Sequence, residues 1–124
     1  ILSLRALTKL RDLELSDTLI TDGFAPAFKA MPHLQQLSLR RTKTGNDTLA
    51  TLAQLPQLHA LDMNATRVTD RGLLESLRSG SFGCLTSLEL SNTAVTAAAV
   101  ARFERALAGR CRVYWDGSPR PRQD

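Results

Sequence analysis

One eleven-residue pattern recurs four times in register along this chain, and no other feature restricts its fold as far. Leu10 to Ile20 reads LRDLELSDTLI, Leu34 to Thr44 LQQLSLRRTKT, Leu58 to Val68 LHALDMNATRV, and Leu85 to Val95 LTSLELSNTAV. The starts at Leu10, Leu34, Leu58 and Leu85 are 24, 24 and 27 residues apart. Self-similarity at such a period means that each unit is too small to bury its own apolar face, so neighbouring units stack. Within each unit the LxL triplet predicts a short strand. Its leucines point one way and the residue between them the other, because strand side chains alternate.

The pattern resembles the leucine-rich repeat family, whose LxxLxLxxN/C signature is matched over about residues 10 to 116 at every leucine position except Met63. At the ninth position the family has Asn or Cys and this chain has Thr18, Thr42, Thr66 and Thr93. A threonine hydroxyl also bonds the backbone of a turn, so the departure marks a threonine-bearing subtype. The subtype is similar to the ribonuclease-inhibitor-like repeats of F-box proteins and some bacterial effectors. The resemblance implies an α/β solenoid with parallel strands on a concave face and short helices on a convex face. It also implies protein binding rather than chemistry.

In chain order, Leu2, Leu4, Leu7 and Leu10 look like the end of a preceding unit, so a longer parent protein is expected. Strands are expected at Leu13 to Leu15, Leu37 to Leu39, Leu61 to Met63, Leu88 to Leu90 and Val113 to Trp115. Between them, turns at Thr21-Asp22-Gly23, Thr44 to Asp47 and Thr69-Asp70 introduce helices near Phe24 to Ala27, around Leu49 and Leu52, and over Gly72 to Leu77. Phe24, Phe28 and Met31 form the first buried stripe. Arg78 to Gly83 supplies the three extra residues of the third unit and reads as a bulging loop. Thr96 to Leu107 is an alanine-rich helix with Val100, Phe103 and Leu107 at helical spacing, ended by Gly109. Residues 1 to 116 thus form one repeat domain, with Trp115 closing its C-terminal end, and 117 to 124 (GSPRPRQD) a disordered tail.

Composition removes several classes. An apolar share of 43% supports a continuous core, and no apolar run of membrane-spanning length occurs. Cys84 and Cys111 are too few for a disulfide scaffold or zinc cluster. A bridge between their adjacent rungs is geometrically conceivable, but two reduced, partly buried thiols are the expectation. An intracellular setting is favoured, although the N-terminus does not identify the compartment. No HExxH, GxSxG, P-loop or GxGxxG motif is present, so neither an enzyme, a cofactor, a metal nor a small-molecule substrate is expected. His33 reads as a solvated edge residue. His59 with Cys84 lacks a third orienting group.

The chain does promise a surface. Stacking the units aligns Glu14, Ser38, Asp62, Glu89 and Tyr114 in one outward column, and Asp12, Gln36, Ala60, Ser87 and Arg112 in the next. Two residues further on come Ser16, Arg40, Asn64, Ser91 and Asp116, beside Asp17, Arg41, Ala65, Asn92 and Gly117. Asp12, Glu14, Gln36, Ser38, Arg40, Asp62, Asn64, Glu89, Ser91 and Tyr114 are the candidate contacts for another protein. Arg40, Arg41, Lys43 and Arg67 form a candidate anion-binding ridge, with solvation or pairing to Asp47 and Asp70 as its plainer explanation. Residues 1 to 100 carry ten Lys and Arg against nine Asp and Glu, and residues 101 to 124 carry six against three. The basic excess is therefore mostly C-terminal, +3 of the +4. It leaves RNA binding or ribonucleoprotein assembly as the alternative to protein binding, and neither class needs a membrane.

Overall fold

The computed structural model describes residues 8–79 and 82–115. The expectations placed on residues 1 to 7, Gly80, Ser81 and 116 to 124 lie outside these. Five three-residue strands, β1 (Asp12–Glu14), β2 (Gln36–Ser38), β3 (Ala60–Asp62), β4 (Ser87–Glu89) and β5 (Arg112–Tyr114), pair in parallel in chain order. The register matches Leu13, Leu37, Leu61, Leu88 and Val113 across the sheet. Four α-helices cross between strands: α1 (Ala25–Phe28), α2 (Asn46–Leu52), α3 (Asp70–Ser79) and α4 (Ala97–Ala106). The described chain is thus an α/β fold with one parallel sheet.

The core lies between the sheet and the helices. Leu34, Leu37 and Leu39, then Leu58, Leu61 and Met63, then Leu85, Leu88 and Leu90 are all at most 3% exposed. From the other side they meet Phe28, Leu49, Leu52, Leu73, Val100 and Phe103. Each fully buried leucine contributes about 1.5–3 kcal/mol, which is what holds helices as short as four residues that would not persist alone. Leu10, Leu13 and Leu15 are only partly buried, since among the described residues β1 has a strand on one side only.

Two features of the turns carry the chain from strand to helix. Asp17, Arg41, Ala65 and Asn92, four different residue types at the eighth position of the pattern, all take the left-handed conformation with φ between 58° and 63°. The N–H groups of Asp17, Arg41 and Ala65 bond the carbonyls of Arg40, Asn64 and Ser91, extending the strand ladder into the turn. The threonines that follow each donate to the carbonyl three residues back: Thr18 to Leu15, Thr42 to Leu39, Thr66 to Met63 and Thr93 to Leu90, at 2.6–2.8 Å.

A second ladder, not anticipated from the sequence, runs along the helix starts. Asp22 accepts from the Gly45 N–H at 2.7 Å, Asn46 from the Thr69 N–H at 3.0 Å, and Asp70 from the Thr96 N–H at 2.7 Å. These carboxylates and amide occupy the same place in successive units. Each ties its own turn to the next one, satisfying a backbone donor that the start of a helix leaves without a partner.

Four expectations need correction. Each strand lies one residue earlier than its expected triplet, at Asp12–Glu14 rather than Leu13 to Leu15 and likewise in β2 to β5, because the last residue of each triplet already leads into the turn. The first helix begins as a 3-10 turn, Asp22–Phe24, before α1, and Phe24 is only partly buried, edge-on to Phe28 at 5.2 Å. α3 starts at Asp70 rather than Gly72. Most consequentially, Phe82 does not ride on a bulging loop. Its ring is 1% exposed and packs edge to face on Phe103 at 5.5 Å. It adopts φ 45°, a conformation that costs a bulky residue about 1–3 kcal/mol, and burial of the ring returns a similar amount.

Candidate interaction surface

The outward residues of the strands line an open depression of about 300 Å³. Register sets its composition. Asp12, Gln36, Ala60 and Ser87 form one row and Glu14, Ser38, Asp62 and Glu89 the next, over a floor of Leu13, Leu37 and Leu61. Arg112 and Tyr114 continue the two rows on β5, where Tyr114 is 52% exposed.

At the C-terminal ends of β2 to β4 the polar side chains are knitted together. Arg40 donates from Nε to Asp62 at 3.1 Å, and its Nη2 lies 3.0 Å from Asp62 and 3.6 Å from Glu89. Asn64 donates from Nδ2 to Glu89 at 2.9 Å and accepts from the Ser91 N–H at 2.7 Å, while its own N–H bonds Asp62 at 3.0 Å. Asn64 is thereby 8% exposed. It braces Asp62, Glu89 and Ser91 more than it displays itself. Ser16 and Ser38 share a hydrogen bond at 2.6 Å on the β1 side. Asp12 and Glu14 are exposed, and among the described residues no cation comes within 4 Å of either.

The basic ridge is divided rather than continuous. Arg40 belongs to the network just described. Arg41 is held by Asp17, with its Nη2 donating to Asp17 Oδ2 at 2.9 Å. That guanidinium holds the Asp17 carboxyl below the usual carboxylate range, and Asp17 in turn raises Arg41 further. Asp47 and Asp70 are not the partners of these cations. Asp70 is occupied by the Thr96 N–H and hydroxyl, both at 2.7 Å. Lys43 and Arg67 are exposed.

Of the two thiols, Cys84 is exposed and Cys111 buried, both free. Burial, with a contribution from nearby Glu104, pushes the Cys111 thiol up to about 12. His33 is exposed and His59 partly buried. Among the described residues no group of three or more His, Cys, Asp or Glu is placed to hold a metal ion, and no helix is long and apolar enough to cross a membrane. Motif spacing could not reveal the Asn64 brace, because Glu89 and Ser91 come from the unit after that of Asp62 and Asn64. No protein-family model matches the chain.

Proposed function

We propose that this chain is a leucine-rich repeat solenoid whose strand face binds another protein, and that it does so without catalysing a reaction. The repeat reading is supported by four in-phase LxxLxLxxT segments whose equivalent positions pair across one parallel sheet. The observation that carries the interaction is the depression over β1 to β4. Four carboxylates, Asp12, Glu14, Asp62 and Glu89, line it, with the guanidinium groups of Arg40, on Asp62, and of Arg112, next to Ser87 in register, at its margins. The whole chain has a net charge of +4, so this acidic face is local and favours a partner segment rich in Lys or Arg.

Asp12 and Glu14 are the residues to perturb, since reversing Asp62 or Glu89 would also release Arg40 and Asn64. The test compares the wild type with an Asp12→Lys, Glu14→Lys variant as bait in quantitative affinity capture, followed by titration of the strongest partner. Recovery of that partner should fall at least about tenfold with the melting temperature unchanged. Equal recovery on both baits removes the strand face from consideration.

A further inference from the structure

The helix layer holds a second concavity that the strand face does not explain. Between α3 and α4, which pack side by side, lies a groove of about 470 Å³ lined by Leu74, Glu75, Leu77, Arg78, Arg102 and Ala106. Helical spacing accounts for the lining. Leu73 and Ser76 turn fully inward, which leaves Leu74, Leu77 and Arg78 on the flank of α3, and Arg102 and Ala106 share one side of α4 as an i, i+4 pair. Leu74 and Leu77 touch the core but stay partly exposed, so the floor is apolar.

The rim is cationic. Glu75, the one carboxylate lining the groove, is held by Arg71 at 3.0 Å. Among the described residues no carboxylate lies within 4 Å of Arg78, Arg102 or the neighbouring Arg105. Cations in the last turns of α3 and α4 complement the helix dipoles, which explains Arg78 and Arg105. That argument does not reach Arg102, in the middle of α4, nor the two partly exposed leucines below it.

We propose that this groove docks an acidic amphipathic helix from a partner protein, with apolar side chains on Leu74 and Leu77 and carboxylates on Arg78 and Arg102. Charge selects the occupant, because a basic helix would meet guanidinium groups with no free carboxylate between them. The floor argues against nucleic acid. No aromatic ring lines the groove for base stacking, and a phosphate backbone gains nothing from leucine. α3 spans ten residues, about 15 Å, a length that matches roughly three turns of a helix laid alongside. This site is independent of the strand face.

The test is fluorescence anisotropy on the full chain with three probes. The first is a labelled helical peptide of about four turns, with Leu at i, i+3 and i+7 and Glu on the flanks. The second has the same composition with the leucines scrambled, and the third is single-stranded oligouridine. The patterned peptide should bind the wild type, and Arg78→Glu, Arg102→Glu should weaken it at least about tenfold without moving the melting temperature. Asp12→Lys, Glu14→Lys should leave that binding unchanged. No binding of the patterned peptide, equal binding of the scrambled one, indifference to the arginine reversals, loss on the strand-face variant, or arginine-dependent binding of oligouridine alone would each overturn the proposal.

Discussion

Gly72→Ala is a sharp test of how closely the helices stack. A Cβ on residue 72 would stand 1.9 Å from Asn46 Oδ1, 2.1 Å from its Cγ and 2.5 Å from its Cβ. Rotating the Asn46 side chain would relieve the first two contacts but not the third, so α3 must also move away from α2. The displaced Asn46 would give up two hydrogen bonds, from its Nδ2 to Thr69 Oγ1 at 2.9 Å and from the Thr69 N–H at 3.0 Å. At about 1 kcal/mol each these come to roughly 2 kcal/mol, and overpacking adds about 1–3. Replacing glycine by alanine inside a helix returns about 1 kcal/mol. The balance is a loss of about 2–4 kcal/mol, or roughly 10 °C in melting temperature for a chain of this size. Because the Cβ of Asn46 is itself in the way, Asn46→Ala should not rescue the variant, whereas Asn46→Gly should recover part of the loss. Thermal melts followed by circular dichroism on the four proteins read this directly. A Gly72→Ala melt within about 2 °C of wild type, or rescue by Asn46→Ala as complete as by Asn46→Gly, would refute the geometry.

Phe82→Ala should cost about 3 kcal/mol and lower the melt by roughly 10 °C, because the ring is buried against Phe103, whereas a residue on a solvated loop would shift it by less than about 2 °C. The thiols should separate by reactivity with a disulfide reagent at mild alkaline pH: one fast equivalent from exposed Cys84, and a second from Cys111 only on unfolding. The Cys111 thiol is raised in the folded state, so its stabilising contribution is complete below the ordinary thiol pKa. It declines as pH rises from about 9 toward about 12, because the unfolded thiol ionises first. Two fast equivalents from the native protein would contradict the burial.

The existence of the strands and their register are legible in the order of residues alone, and their bounds to within one residue. Alternation allows each LxL triplet only one face to bury, and nearly constant spacing leaves a single way to superpose the four segments. The two outward columns follow directly, and Asp12, Glu14, Gln36, Ser38, Asp62 and Glu89 do share one depression. Helix ends are less legible, as α3 shows: Asp70 joins the helix while its carboxylate reaches forward to Thr96, a contact made 26 residues away.

The pattern of residues by itself determined that short parallel strands would stack in chain order with a leucine core behind them, because burying periodic leucines is a requirement each unit imposes on the next. Tertiary structure alone decided which polar groups would meet. Arg40 lies with Asp62, Arg41 with Asp17, and Asn64 spans Glu89 and Ser91, across separations of 22 to 27 residues. Phe82, in a stretch rich in glycine and serine, is buried because Phe103 stands opposite it. Apolar periodicity is a one-dimensional signal that survives in the sequence. The choice of a charge or ring partner depends on distances between neighbouring units and on rotamers, which exist only once the units are stacked.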